Sequence, residues 1–427
     1  MEVNPAFVAD RRTHLERPRD TAKEGSFRFS CARSQEPVSI ADVSKASVGA
    51  IRCRGYDPAD VQDAVQRAVV AAGGWPDKVR DARRVLLKPN LLSARSPDQA
   101  VTTHPEVVRA VIRALRTLGE KEILVGDSPG IRRSWEYLWD KTGMRKVADE
   151  EGVTLLPFES IRRVEMPDGR VLPVLHELAD FDAHVTLPKL KTHLLTRITA
   201  SVKNSYGLIV GDAKSSFHGE FASPRSMNHF LAECYGLLKP DFVILDAIEA
   251  MAGDGPANGY PVATGLVLAG SDGLAVDACA CRMYGYLPTD IPLLVDAANL
   301  GFGVIDPAVI NGCGDGWDAL NGNCPMERAK ADFLHRLPKP LFRVATWVMR
   351  YRPYINPVKC VHCGMCKQVC SPHAITQDAE RRFKVDNRKC ILCMCCLEAC
   401  PRQAIAMAHL WQRLFIGMMK THERTRS

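Results

Sequence analysis

The sequence predicts an α/β fold, a largely parallel sheet with flanking helices, followed by a small α+β domain dense in cysteine. Three observations carry this. Between about residue 46 and about 315, short apolar runs that stop at Pro, Gly or Asp alternate with stretches of helical periodicity, the rhythm of a sheet with crossover helices. Nine of the sixteen cysteines lie between Cys360 and Cys400. The composition, 46% apolar and 25% charged, is that of an ordinary globular chain.

Residues 1–45 are polar, mixed in charge and without periodicity, and read as a flexible N-terminal tail. Val48 to Arg52 forms a short strand. Asp57-Pro58 opens a helix whose apolar positions, Val61, Ala64, Val65, Ala68 and Val69, recur at helical spacing until Gly73-Gly74 end it. Arg84 to Lys88 is a strand running into Pro89-Asn90. Thr103 caps the next helix, with Pro105 in its first turn and Glu106 three residues on. Val107, Val108, Val111, Ile112 and Leu115 make its buried face. Ile123 to Val125 is a strand ending in Gly126-Asp127-Ser128-Pro129-Gly130. His184 to Leu187 is another, before a loop Pro188-Lys189-Leu190-Lys191-Thr192-His193. Phe242 to Leu245 ends at Asp246. Gly265 to Ala269 precedes Ser271-Asp272-Gly273 and a helix from Leu274 to Tyr284. These elements make a domain over 46–315. Residues 316–356 read as a helical linker, 357–408 as the cysteine domain and 409–427 as a basic C-terminal tail.

No run of eighteen apolar residues is present, so no transmembrane segment is expected. Arg11-Arg12 is not followed by an apolar stretch, which argues against a secretory or twin-arginine signal. The cysteines outside the dense segment are scattered, and a reducing, cytoplasmic location fits them best. The net charge of +7 is uneven: 19 Lys and Arg face 7 Asp and Glu from Met326 onward, and 37 face 42 before it. With no nucleic-acid motif beside that basic segment, no nucleic acid is expected.

Cys360, Cys363, Cys366 and Cys370 follow C-x2-C-x2-C-x3-C, and Cys390, Cys393, Cys396 and Cys400 repeat the spacing thirty residues on. Two-residue gaps let successive thiolates turn around one face of a cubic cluster. Paired C-x2-C units also occur in structural zinc sites, but two complete four-cysteine runs in tandem favour iron and sulfur. The segment resembles the bacterial two-cluster ferredoxins over roughly 50 residues, including the repeated Ala374-Ile375 and Ala404-Ile405. That resemblance implies two 4Fe–4S clusters with crossed ligation, because the fourth cysteine of each run binds the other cluster. Cys360, Cys363, Cys366 and Cys400 would hold one, and Cys390, Cys393, Cys396 and Cys370 the other. Pro401 follows its cysteine as the family pattern requires, whereas Ser371 is inserted before Pro372. Cys395 aligns with Met365 and reads as a non-ligand.

In the larger domain the phrases LLKPNLL (86–92), TTHPEVVRAVIRAL (102–115), VGDSPG (125–130), PKLKTH (188–193), VKNSYGLIVG (202–211), DAIEAMAGDGPANG (246–259) and SDGLAVDACA (271–280) resemble the family catalogued as domain of unknown function 362. The resemblance implies a shared fold and an iron–sulfur redox setting. It implies no reaction.

The residues carry the rest. Lys88, Lys189, Lys191, Lys203 and Lys214 lie in or beside expected loops, and Asn90 and Asn204 stand near two of them. Together they would form a cationic pocket for an anionic small molecule, with lysine as point charge and asparagine as donor and acceptor; solvated surface lysines are the plain alternative. His193 is the candidate acid or base, and His104 and His218 are weaker ones. Asp127 and Asp246 end apolar strands, where functional carboxylates sit in such sheets. Capping or turn roles compete for Asp127 and Asp272, and Asp254 and Asp277 complete the carboxylate candidates. The loop Gly253-Asp254-Gly255-Pro256-Ala257-Asn258-Gly259 has neither the Walker nor the dinucleotide spacing, so neither ATP nor NAD is expected.

The sequence therefore predicts an iron–sulfur oxidoreductase. Electrons from a redox partner protein would pass through two clusters to an anionic substrate or cofactor in the α/β domain. The alternative is a non-catalytic electron-transfer or accessory protein that docks a partner enzyme.

Overall fold

The computed structural model describes residues 46–130, 134–211, 213–221, 223–321, 326–329 and 352–408. The expected N-terminal tail, most of the linker and the basic C-terminal tail lie outside these residues. The larger body is built on one mixed, mostly parallel sheet. Its spatial order begins at Ile310–Cys313 (β12) and continues through Ala46–Arg52 (β1), Tyr260–Gly270 (β11), Phe242–Ala252 (β10), Ala183–Leu187 (β7), Arg84–Pro89 (β2), Glu122–Val125 (β3) and Thr154–Leu155 (β4). β10, β7, β2, β3 and β4 run parallel to one another, and β11 runs antiparallel to both β10 and β1. Two apolar cores cover the two faces. β2 and β7, at its centre, are buried almost throughout, which is why they read as continuous apolar runs rather than as alternating ones.

Local signals set the edges of these elements. The Asp57 carboxylate accepts from the backbone N–H of Ala59 and Asp60, and Pro58 opens the Pro58–Ala71 helix behind it. Gly73 and Gly74 follow with φ of 96° and 90°, left-handed backbone that glycine adopts without steric cost.

Three local expectations change. The cap of the Pro105–Arg116 helix is His104, whose Nδ1 accepts from Glu106 N. Thr103 instead bridges two strand ends: its Oγ1 accepts from Asn90 N at 2.8 Å and donates to Leu187 O at 2.5 Å. The Lys189–His193 segment is a strand (β8), not a loop. Pro188 interrupts β7, and the chain then resumes pairing along β10, with Lys189 opposite Asp246. It folds back as Arg197–Thr199 (β9). Finally, Asp246 does not end its strand. β10 continues to Ala252 because Glu249 to Ala252 find partners in β11, past an irregularity after Ala247.

The cysteine module, 352–408, has two pairs of short strands. Arg352–Ile355 (β13) pairs with Ile405–Ala408 (β16), and Ile375–Gln377 (β14) pairs with Phe383–Val385 (β15). The module packs onto the body through specific contacts. Arg95 Nη2 donates to Cys400 O at 2.7 Å. The Asn258 side chain donates to Ile405 O, and Gln403 returns a bond to Ala257 O, each at 3.0 Å. Leu194, directly after β8, inserts into the module's apolar cluster with Cys366, Cys370 and Leu397; burying such a side chain contributes about 2 kcal/mol. The inserted Ser371 occupies the space that a side chain at Gly219 would need.

Candidate functional site

The two cysteine runs fold as near-copies. His362 and Gly364 of the first run, like Leu392 and Met394 of the second, have positive φ. Each loop thereby curls around its thiols. One cavity is lined by Cys360, Cys363, Cys366 and Cys400, and a separate one by Cys370, Cys390, Cys393 and Cys396 with Cys395 beside them. Ala374 N donates to Cys370 Sγ at 3.2 Å and Ala404 N to Cys400 Sγ at 3.1 Å. The Cys366 thiol is pushed up to about 12 by burial and then by the nearness of Cys400, Cys360 and Cys363. Among the described residues, no three His, Cys, Asp or Glu side chains converge as ligands to a single ion. Each of the two cavities thus has on its wall four cysteines of the repeated spacing, the ligand number that a cubane takes.

A third cavity, of about 90 Å³, lies between the strand ends of the body and the Cys395–Ala399 helix of the module. Its walls bring together residues from distant parts of the chain: Asn90, Asp127, Lys191, His193, Lys203, Asn204 and Lys214 from the body, and Val369, Cys395 and Glu398 from the module. Lys88 stands just behind this wall, with Nζ 2.8 Å from Asp127 Oδ1 and 3.1 Å from Asn204 Oδ1. Asp127 Oδ2 accepts from Leu91 N at 2.7 Å, so its role is local as well as ionic. Asn204 organises the lining. Its Oδ1 also accepts from Asn90 Nδ2, and its own Nδ2 donates to Thr186 Oγ1 at 2.7 Å. Lys191 Nζ donates to Asn90 Oδ1 and to Val101 O, both at 2.8 Å. Lys214 is tucked under Ser128, donating to its carbonyl and its hydroxyl.

Lys203 differs from these. Its Nζ lies 5.0 Å from the centre of the Tyr206 ring, and no hydrogen-bond or ion-pair acceptor meets it among the described residues. Burial lowers the pKa of Lys88 despite Asp127, and that of Lys203 despite Glu398. Lys191 and Lys214 are each brought down to about 7 by burial. A lysine whose folded value lies below its unfolded value of 10.5 contributes stability at high pH, and that contribution is lost as pH falls through 7. These lysines therefore push the melting temperature up from pH 7 toward 10, buried thiols such as Cys234 and Cys279, raised by burial, push it down over the upper part of that range, and a Lys191→Met variant should lower the slope relative to the parent in a thermal melt series. An unchanged slope would count against the burial of this charge.

His193 Nδ1 accepts from Leu195 N at 3.0 Å and Thr196 N at 3.2 Å. The ring proton of the neutral form therefore sits on Nε2, which faces Glu398 Oε1 at 3.5 Å. Burial lowers the His193 pKa, against the pull of Glu398. The Glu398 carboxyl is pushed up by burial, but its bond with His193 and the charge of Lys203 hold it well below the usual range. His218 also lines the cavity, with burial pulling it down to about 4.

Lys189 and Asp246 do not line this cavity. Lys189 Nζ bonds Asp246 Oδ2 at 2.9 Å and Tyr56 Oη at 2.6 Å, and Tyr56 stacks on His104 with ring centres 3.6 Å apart. Asp246 also accepts from His104 N. This cluster ties β8 to β10 and to the first helix region. Asp272 caps the Gly273–Ala280 helix, and Asp277 accepts from Ser201 N and Val202 N. Gly207 closes the back of the cavity: a Cβ there would stand 2.6 Å from Lys88 Nζ. Gly207→Ala is expected to lower stability by about 1–3 kcal/mol through overpacking, read in a denaturant melt; no loss would mean that the pair can move aside.

Glu398 and Tyr206 were not singled out from sequence. Glu398 occupies the place held by Gln368 in the first run, and this asymmetry between the two copies is its only local signal.

The family described as domain of unknown function (DUF362) matches residues 85–282, and a 4Fe-4S dicluster domain matches 359–404. A thylakoid-associated protein of Synechocystis sp. is 32% identical over 268 residues, 60% of this chain and 79% of that one. Pyruvate synthase subunit PorD of Methanocaldococcus jannaschii is 36% identical over 63 residues, 15% of this chain and 72% of its own. The lactate racemase apoprotein of Thermoanaerobacterium thermosaccharolyticum overlaps 55% of this chain at 12% identity and a TM-score of 0.39. The chain spans little more than half of that solved protein, 56%. No helix among the described residues is long and apolar enough to cross a membrane.

Proposed function

Because the chain belongs to the domain of unknown function 362 family and carries a 4Fe-4S dicluster domain behind it, we propose that it is an iron–sulfur oxidoreductase acting on a small anion in the 90 Å³ cavity. The observation that carries this reading is the position of that cavity. Its module-side wall is the Cys395–Ala399 helix and Val369, the neighbours of Cys393, Cys396 and Cys370. Cys360, Cys363, Cys366 and Cys400 hold one cluster in this proposal, and Cys370, Cys390, Cys393 and Cys396 the second. When bound, the clusters supply single electrons. The chain's own groups do the rest. Lys191, Lys203 and Lys214 attract and orient the anion, Asn90 and Asn204 fix the lysines, and Asp127 keeps Lys88 in place. His193, neutral and with Nδ1 occupied by Leu195 N and Thr196 N, offers its Nε2–H beside Glu398 as a hydrogen bond that polarises the bound substrate. Docking of the module over the strand ends excludes bulk water, which strengthens each of these interactions.

Anaerobic purification is expected to yield about eight iron atoms per chain and a small anion released by acid and identified by mass spectrometry. His193→Gln should retain iron while slowing substrate-dependent reoxidation of the reduced protein by roughly 10²–10⁴-fold. Full activity in that variant would remove His193 from the mechanism.

A second reading, an electron carrier that docks a partner enzyme and performs no chemistry itself, has one feature in its favour. Cys363 is exposed, and Val361 and Val358 beside it are 55% and 77% exposed. Iron without any bound or accepted anion would shift the assignment to that reading.

A further inference from the structure

The charge and donor inventory of the cavity says more about its occupant than that it is an anion. Three donors open onto it without an acceptor among the described residues. They are Lys203 Nζ, the buried Thr199 hydroxyl and the ring of His218. They come from three separate elements: the Ser201–Asn204 helix, β9 and the Ala213–Glu220 helix. A buried hydroxyl left unpaired, as that of Thr199 is, is costly, and beside it the half-buried Lys203 ammonium and the His218 ring facing the same space describe a receptor for clustered oxygens.

Charge sets the valence. Asp127 is already engaged by Lys88 at 2.8 Å. Among the described residues lining the cavity, that leaves Glu398 as the carboxylate opposing Lys191, Lys203 and Lys214. With the three lysines protonated, the balance is two positive charges. An uncompensated pair of charges away from water is strongly unfavourable. The protein on its own can answer only by releasing protons, in keeping with the lowered lysines. At about 10–15 Å³ per water, a cavity of 90 Å³ holds several waters or a compact ligand with a comparable number of heavy atoms.

We propose that this cavity is a site for a compact dianion whose oxygens are received by Lys203, Thr199 and His218, with Glu398 closing the site from the cysteine module. The proposal rests on the oxidoreductase reading for its location but is narrower: it specifies two charges and tightly grouped oxygens, as in a phosphoryl group or a short dicarboxylate. It has a physical rival, in which the lysines serve only to balance the negative charge of the adjacent cluster. That rival requires no ligand.

The test is isothermal titration of the full-length, anaerobically purified protein at pH 8 with inorganic phosphate, malonate and acetate. Phosphate or malonate is expected to bind at least tenfold more tightly than acetate, and whichever of the two binds tighter identifies the class. Lys203→Met should weaken that dianion by roughly 10- to 100-fold, the worth of one charged hydrogen bond, with iron content unchanged. Thr199→Val, close to isosteric, should weaken it less. Lys359→Met, on the exposed surface of the module, should leave binding as it was. Equal affinity for acetate and the dianions would overturn the dianion and leave an anion site standing. Absence of binding by all three would overturn both this proposal and the anionic substrate. A Lys203→Met variant that binds normally but shifts the cluster midpoint potential in a redox titration would assign the lysines to charge balance, against the proposal.

Discussion

Replacing Cys400 with alanine is expected to halve the iron content and to remove the cluster nearest Cys363, not the one in its own run. Cys400 lines the cavity of Cys360, Cys363 and Cys366, while Cys370 lines that of Cys390, Cys393 and Cys396. Pairwise variants make the test sharp. Cys363→Ala combined with Cys400→Ala removes two ligands of the same cluster and should keep about four of the eight irons. Cys393→Ala combined with Cys400→Ala strikes both clusters and should keep none. Ligation within each run would give the opposite pattern, and iron analysis with low-temperature EPR reads the difference directly. Because metal binding and folding are coupled in small modules of this kind, loss of iron should also show as increased proteolysis of 352–408.

The second large effect is expected at Asp127. The Lys88–Asp127 pair is buried, with 0% and 4% of the two side chains exposed. Replacing a buried pair with well-packed apolar residues is often tolerated, but removing one partner leaves an uncompensated charge and costs about 3–5 kcal/mol. Asp127→Asn should therefore lower the melting temperature by on the order of 10 °C. Lys88→Met with Asp127→Leu should recover much of that loss. A single Asp127→Asn variant within about 1 kcal/mol of the parent would show that the pair is solvated, contrary to its burial.

What could be read from the sequence follows the range of the interactions involved. The spacing of the cysteines from Cys360 to Cys400 is local, so the dicluster domain that matches 359–404 is legible without any knowledge of the fold. Capped helices such as the one at Asp57 are similarly local. The Lys189–His193 strand was hidden because a proline precedes it and because its pairing partner, β10, lies some fifty residues away. Asp246 looked like the end of a strand because the apolar run ahead of it stops there. Only the antiparallel return of β11 carries β10 through the charge, and only the pairing of β8 brings Lys189 to it. Lys189 and Lys191 are two residues apart, yet one joins Tyr56 and Asp246 while the other reaches Asn90. No periodicity separates those fates. Glu398 is the extreme case: it meets His193 across two hundred residues, and only the docking of one module on another makes the pair.

That docking has a consequence for how the protein matures. Glu398 and Cys396 share one short helix, and in the proposed ligation that helix would depend on iron for its shape. A chain made under iron limitation would fold its sheet and gather its lysines but lack the wall that encloses them. On the proposed reading, iron supply would then govern two capacities at once, the conduction of electrons and the retention of the anion, so a chain lacking the first would also lack the second.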